Sequence, residues 1–159
     1  PNNAFVAGFI GSPAMNLVSA PLTGNGAQFG NIVVPLHDDV IDAAKKANLS
    51  TVTLGIRPES FTVAPPGTGL QIKANLVEEL GADAFVYADL PGHEIEKQLT
   101  VRFEGRVPPR IGDTLSVEVR QGEDHVFHPE TGERLGRLHD EEQAAAMQRV
   151  TGATHAASD

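Results

Sequence analysis

The chain has 159 residues, a formal net charge of −9, and contents of 40% hydrophobic and 21% charged residues, which suit one globular domain. The absence of cysteine excludes disulfides and thiolate metal sites. The sequence has no apolar run of about 18 residues that would predict a membrane span, and it does not start with the basic and then apolar segment of a signal peptide. The acidic balance argues against nucleic acid as a partner, because its backbone requires a basic surface.

In chain order, the first segments predict two helices and a strand. Residues 3–11 form a short apolar stretch that predicts a helix. The run Ile32–Leu36 is continuously apolar and predicts a strand with both faces covered. Residues 38–47 predict an amphipathic helix, with Asp38 or Asp39 as its N-cap, and the shared apolar stripe consists of Val40, Ile41, Ala44 and Ala47.

Alternating apolar residues then predict strands, because successive side chains of a strand leave opposite faces. The rows predicted to face the core are Val52, Leu54 and Ile56; Leu70, Ile72, Ala74 and Leu76; Leu99, Val101 and Phe103; and Leu115, Val117 and Val119. The alternation slips between Leu76 and Val77, which predicts a bulge there. The segment 84–90 is more continuously apolar and predicts a strand with both faces covered. In total we expect seven to nine strands in an antiparallel barrel or sandwich.

Glycine and proline separate these segments. The turns that they predict are Thr23-Gly24-Asn25-Gly26, Pro65-Pro66-Gly67, Pro91-Gly92, Pro108-Pro109, Gln121-Gly122 and Pro129-Glu130-Thr131-Gly132. Residues 140–150 predict a further helix, since Asp140 and Gln143 form a capping-box pattern and Gly152 is a natural stop.

The sequence contains no convincing catalytic or metal motif. The glycine-rich stretch 23–30 has no lysine, so a hairpin turn explains it better than a phosphate loop. His125 and His128 are three positions apart on a predicted strand, point to opposite faces and do not favour a shared metal ion. The adjacent carboxylates Glu78 and Glu79 also diverge on a strand, which favours a solvated strand end over an acid–base pair.

Four segments nevertheless share a pattern with one family. They are FVAGFIGSPAMN at residues 5–16, LGIRPES at 54–60, VEELGAD at 77–83 and HVFHPETGERL at 125–135. In order and spacing they resemble the C-terminal part of the ATP-binding subunit of carbohydrate ABC importers, the family of the maltose importer ATPase.

The resemblance implies a mainly β fold, an antiparallel barrel of short strands of the oligonucleotide/oligosaccharide-binding (OB) or molybdate-binding type, with one or two short helices and a C-terminal helix. It divides the chain into the end of a nucleotide-binding domain at 1–13, the regulatory barrel at 14–138, and a helix and tail at 139–159. The Walker A, signature and Walker B motifs of the family are missing, and the chain begins at Pro1 rather than Met. We therefore expect a non-enzymatic piece of a longer ATPase that binds no cofactor itself, with ATP and Mg²⁺ held by the missing domain.

The resemblance also implies a role and partners. In the family this domain holds two ATPase subunits together and receives regulatory proteins in some members, while the ATPase domain contacts membrane permease subunits. We therefore expect a homodimer on the cytoplasmic face of the membrane. Gly81 permits a sharp reversal that would project its neighbours, so we predict a contact patch formed by Arg57, Pro58, Glu59, Glu79, Leu80, Gly81, Ala82 and Asp83.

Alternatives remain at this stage. Arg57 and Glu59 could pair within the barrel, and Gly81 could serve only a turn. A different function is a sensor of oxyanions or sugars, since related barrels bind molybdate, although only Arg102, Arg106 and Arg110 approach a basic cluster. Finally, the apolar surface toward the missing domain is predicted to consist of Phe5, Val6, Phe9 and Ile10.

Overall fold

A computed structural model describes residues 15–90, 98–105 and 108–136 of the chain. Ten strands lie in these ranges, namely β1 Asn16–Thr23, β2 Gly26–Phe29, β3 Ile32–Pro35, β4 Thr51–Ile56, β5 Phe61–Val63, β6 Leu70–Leu80, β7 Asp83–Asp89, β8 Leu99–Glu104, β9 Thr114–Val119 and β10 His125–Phe127. An α-helix, α1, spans Asp38–Lys46, and a short 3-10 helix spans Pro58–Ser60. The mainly β fold class is confirmed.

Some predictions fall outside these ranges. They are the helices at 3–11 and 140–150, the turn at Pro91-Gly92, Arg106, and the junction residues Phe5, Val6, Phe9 and Ile10. The predicted domain boundaries near residues 14 and 138 also stay predictions. Within the ranges that are described, no helix is long and apolar enough to cross a bilayer.

The strands form two five-stranded antiparallel sheets. The first has the order β10-β4-β1-β2-β3, and the second has the order β5-β9-β6-β7-β8. The last strand, β10, returns to pair with β4, so the first sheet contains both ends of the described chain. The predicted antiparallel barrel or sandwich therefore consists of two separate sheets. The described strands number ten, whereas the prediction was seven to nine.

The main buried apolar core lies between the two sheets, and a smaller cluster consists of Met15 and Phe127 with Leu17 packed against them. Val52, Leu54 and Ile56 of β4 are fully buried, as their alternation predicts, and they pack in the same cluster as Leu70 and Ile72 of β6. Since each side chain of this size contributes about 1.5 to 3 kcal/mol when buried, the alternating rows account for much of the fold's stability.

The two continuously apolar runs are covered on one face rather than on both. In β3, Val34 is buried while Val33 is 48% exposed, because β3 is the outermost strand of its sheet and its outer face meets solvent. In β7, Ala84, Val86 and Ala88 face the core, whereas Phe85 and Tyr87 are only partly buried on the other side. The prediction of two covered faces was wrong because continuous hydrophobicity does not specify what covers each face.

Strand β6 contains a bulge, but two residues earlier than predicted. Its register with β7 shifts between Ala74 and Leu76, after which Leu76 pairs with Tyr87 on the outer face. Leu76 is consequently 52% exposed, and Val77 takes the inward position opposite Val86. The prediction that Leu76 continues the buried row was wrong, because one extra residue exchanges the two faces of a strand.

Helix α1 is confirmed, with a different cap. His37 is the N-cap in extended conformation and makes no side-chain capping bond, while Asp38 and Asp39 lie in the first helical turn. Carboxylates at that end still favour the helix because they interact with its positive terminus. Val40 and Ala44 are buried against the core, as the stripe predicts, and Ile41 packs against it. Ala47 was wrongly included in the stripe, because the helix ends at Lys46 and Ala47 is its exposed C-cap.

Two asparagine side chains connect the sheets. Buried Asn16 donates from Nδ2 to the carbonyl oxygens of Ile56 (2.9 Å) and Thr100 (2.8 Å), and its Oδ1 accepts from the Thr100 N–H (2.7 Å). Asn31, between β2 and β3, bonds the Gly69 carbonyl and the Gln71 N–H at the start of β6 in the same way. Each amide therefore bonds the second sheet as one peptide unit of a neighbouring strand would, Asn16 at the edge strand β8 and Asn31 at the start of the central strand β6.

Candidate docking surface

The first half of the predicted contact patch lies directly after β4. Arg57 is extended and partly buried, and Pro58 begins the 3-10 helix with its ring buried. Proline suits that position because its fixed φ angle is already helical and its missing N–H is not needed there. The same turn leaves Glu59 exposed. Glu59 is therefore the most exposed side chain in this half of the patch.

The second half of the patch is the tip of the β6–β7 hairpin. Leu80 pairs with Asp83 to close the strands, and Gly81 takes a φ of +71°, which an L-residue rarely adopts. Glu79, Leu80, Gly81 and Ala82 are exposed, and Leu80 is 48% accessible despite its apolar side chain. Gly81 therefore makes the turn, as its alternative interpretation says, and the turn also projects Leu80 into solvent.

Arg102 on β8 connects these two halves. Its guanidinium forms an ion pair with Asp83, with Nε 3.2 Å from Oδ2. The hydrogen bond and charge of Asp83, and then the charges of Glu104 and Glu59, raise the pKa of Arg102 above its ordinary value. Glu59, Arg102 and Glu104 also line one cavity of about 200 Å³ between strands β5 and β8. The structure thus brings Glu59 and Asp83, which are 24 positions apart in the chain, to the same arginine.

Arg57 does not belong to that arrangement. Within the described ranges, Arg57 forms no ion pair with Glu59, so the alternative that these two residues pair within the barrel is not supported. The sequence indicated the ends of the patch but missed the role of Arg102. The only available signal was an arginine at an outward position of a predicted strand.

The outer face of the β6–β7 hairpin extends this surface. Directly opposed residues of antiparallel strands share a face, so Leu76 stands beside Tyr87, and Glu78 stands beside Phe85. Leu76 and Glu78 are exposed, and both aromatic residues are partly exposed. The sequence pattern does not reveal this face, because uninterrupted alternation would place Leu76 in the buried row, and only the bulge after Ala74 turns it outward.

A larger groove of about 790 Å³ opens between the two edges of the first sheet. Its walls include Val33 and Leu36 from the β3 side, and Val126 and Leu135 from the β10 side. Polar side chains that line the groove are His37, Asp38, Glu118, Arg120, Gln121, Asp124, His125 and Arg134. Arg110 lines neither this groove nor the smaller cavity.

The histidines at 125 and 128 stabilise the return of the chain. Nδ1 of His128 accepts hydrogen bonds from the Glu130 and Thr131 N–H groups (3.1 and 3.2 Å), which fixes the predicted turn at residues 129–132. His125 contacts Arg134, whose guanidinium lies 5.3 Å from the Phe127 ring centre. In the part of the chain that the structure describes, no group of three or more His, Cys, Asp or Glu side chains could hold a metal ion.

Two family profiles match the chain, and their division follows the two sheets except that β10 of the first sheet lies within the second profile. The profile described as the MalK OB fold domain matches residues 11–61, and the profile described as the TOBE domain matches residues 54–127. The two matches together extend over residues 11–127, so the chain contains an OB domain and a TOBE domain of these kinds.

Its curated relatives are ATP-binding subunits of importers. The diacetylchitobiose uptake system ATP-binding protein MsiK of Streptomyces coelicolor is 45% identical, over 85% of this chain and 40% of the relative. The sn-glycerol-3-phosphate import ATP-binding proteins UgpC of Psychromonas ingrahamii and Shigella sonnei are 31% and 35% identical, over 85% of this chain and 36% and 37% of the relatives. The chain thus spans about two fifths of these relatives. The resemblance inferred from the four sequence segments is confirmed.

Proposed function

We propose that this chain is the regulatory and dimerisation domain of the ATP-binding subunit of an ABC sugar importer. In this role it holds two ATPase subunits together while their nucleotide-binding domains open and close. It also offers a docking surface to regulatory proteins. The full subunit would lie on the cytoplasmic face of the membrane, where its ATPase domain binds ATP and Mg²⁺ and contacts the permease subunits.

The observation that carries the proposal is that the chain matches an OB and a TOBE domain profile and at the same time spans about two fifths of relatives that are named ATP-binding proteins. A persistent contact outside the nucleotide-binding domains would keep their local concentration high, which favours renewed closure in each transport cycle. On this basis we infer that the chain itself does not hydrolyse ATP. Hydrolysis by the purified chain would contradict the proposal.

The continuous surface from Glu59 through Arg102 to the hairpin tip supports a contact between two copies. Leu80 supplies an exposed apolar side chain, and the Arg102–Asp83 ion pair supplies a polar border. An interface with an apolar centre and a polar rim has this composition. A twofold axis would use the same patch on both subunits.

Substitution of Leu80 by glutamate tests the contact. We expect L80E to weaken dimerisation at least about tenfold, because a buried apolar contact is replaced by a charge that must be desolvated. The measurement is sedimentation velocity over a concentration series. V33E is the matched control, since Val33 has the same 48% exposure on the other sheet.

The control should leave the dissociation constant within about twofold of the unmodified chain. A chain that is monomeric at high concentration, or equal losses from L80E and V33E, would contradict the proposed contact. Circular dichroism of both variants establishes that they are folded before the comparison is made.

The groove between β3 and β10 gives the sensor alternative a definite location. It combines apolar walls with carboxylate, amide, imidazole and guanidinium groups, a composition suited to small polar ligands. Calorimetric titration with molybdate, tungstate and several sugars tests this function. A binding heat that is specific to one of these ligands and saturates at micromolar concentration would favour the sensor over the regulatory role.

A further inference from the structure

The outer face of the β6–β7 hairpin carries an unusual combination of side chains. Two cross-strand pairs, Leu76 with Tyr87 and Glu78 with Phe85, lie side by side on this face. We call these four residues the Glu78 face. Leu76 is 52% exposed, and none of its three apolar members packs against the core between the sheets.

An exposed apolar cluster on a folded domain marks an interaction site more often than a scattered single residue does. Here the aromatic rings offer large contact areas with little side-chain entropy to lose on binding. The cluster is also held on two paired strands rather than on a loop, so its geometry is formed before a partner arrives.

The charge on this face selects the chemistry of the partner. Glu78 is exposed and forms no ion pair within the described ranges. Asp83 and Glu104 stand opposite each other farther along the outer face and add two carboxylates. Arg102 stands opposite Phe85 and is already paired with Asp83. Lys73 stands opposite Asp89 at the other end of the face. The described charges around the apolar cluster are therefore four carboxylates against two cations, so its surroundings are acidic on balance.

We propose that the Glu78 face docks a basic, apolar segment of a regulatory protein, with a lysine or arginine placed on the Glu78 carboxylate between apolar side chains. A charge-assisted hydrogen bond to Glu78 would fix the register of the segment. This inference rests on the proposed function, since it names the kind of partner that the regulatory domain receives.

A second copy of the chain fits this face less well. A twofold axis through the face would bring two Glu78 carboxylates together, and like charges in an interface oppose association. The dimer contact proposed above is centred on Leu80 at the hairpin tip and adjoins the Glu78 face, since Arg102 stands opposite Phe85. The variants L80E and E78K change different side chains and therefore test the two surfaces separately.

The probe is a short helical peptide of leucine, alanine and lysine, in which the leucines border a row of lysines. Its counterpart carries glutamate in place of every lysine. Titration into the ¹⁵N-labelled chain, followed by amide chemical shifts, should move the signals of 76–78 and 85–87 with the basic peptide only. The variant E78K should weaken this binding by about tenfold or more.

The matched control is E130K, which makes the same charge change in the exposed turn after β10. It should keep the affinity for the basic peptide within about twofold if the attraction is local to the Glu78 face. Binding of the acidic peptide, shift changes spread over the whole surface, or equal losses from E78K and E130K would overturn the proposal.

The dimer measurement separates the two proposals. If L80E abolishes dimerisation while the peptide fails to bind, only the docking inference is overturned. If the peptide binds as expected while the chain stays monomeric, the dimer contact is overturned and the Glu78 face stands. Protection of Glu78 by self-association would overturn the docking inference in favour of a second copy.

Discussion

Asn16 shows how a single side chain can join two sheets. Its three hydrogen bonds reach Ile56 on its own sheet and Thr100 on the edge of the other, and only 7% of its surface is accessible. Buried polar groups are stable only when such bonds satisfy them. Asn31 makes the corresponding bonds at an exposed position.

We expect N16A to lower the free energy of unfolding by about 2 kcal/mol, because the substitution leaves buried peptide groups without partners. N31A should lower it by less than about 1 kcal/mol, since water can replace its bonds. Urea denaturation of both variants measures the difference. Equal losses would show that burial does not determine the strength of these connections.

At the scale of the element, the turn between β2 and β3 illustrates how a strand connection is fixed by packing as well as by backbone conformation. Gly30 has a φ of +57°, and a Cβ atom there would lie 2.7 Å from Leu90 Cδ1 and 2.8 Å from Leu70 Cδ1. Gly67 also has a positive φ, of +82°, but a Cβ atom there would meet no atom within 4 Å.

G30A should therefore destabilise the chain by about 2 to 4 kcal/mol, from backbone strain and from crowding of two core leucines. G67A should cost about 1 kcal/mol, from strain alone. Thermal or urea unfolding distinguishes them. A loss for G30A no larger than that for G67A would mean that the leucines move aside without cost.

At the scale of the whole molecule, two family profiles share a single core. The OB and TOBE matches divide the sequence near residues 54–61, yet apolar residues of both sheets belong to one cluster, and β10 returns to the first sheet. A shared core and shared edge bonds favour one cooperative unfolding unit over two independent ones.

I56V, a substitution in the first sheet, tests this cooperativity. Because Tyr87 is the only tyrosine and the chain has no tryptophan, tyrosine fluorescence reports on the second sheet. We expect both fluorescence and far-ultraviolet circular dichroism to show the same loss of about 1 kcal/mol. A lower free energy of unfolding by circular dichroism, with an unchanged value by fluorescence, would indicate that the two sheets unfold separately.

The sequence by itself determined the strand class, most turns, helix α1 and the family. Alternation at 52–56 and the glycines at the turns act locally, so their consequences can be read from neighbouring residues. The four family segments likewise identified the chain without coordinates.

Only the tertiary structure decided which strands adjoin and what each face meets. The bulge after Ala74 turned Leu76 outward, and the pairing of β7 with β8 placed Arg102 beside Asp83, at the cavity that Glu59 also lines. The sequence could not reveal either result, since a period of two assigns residues to faces but carries no information about register or partner strands. The candidate docking surface depends on those long-range pairings, and for that reason the sequence located its ends but not the arginine and the outer face that join them.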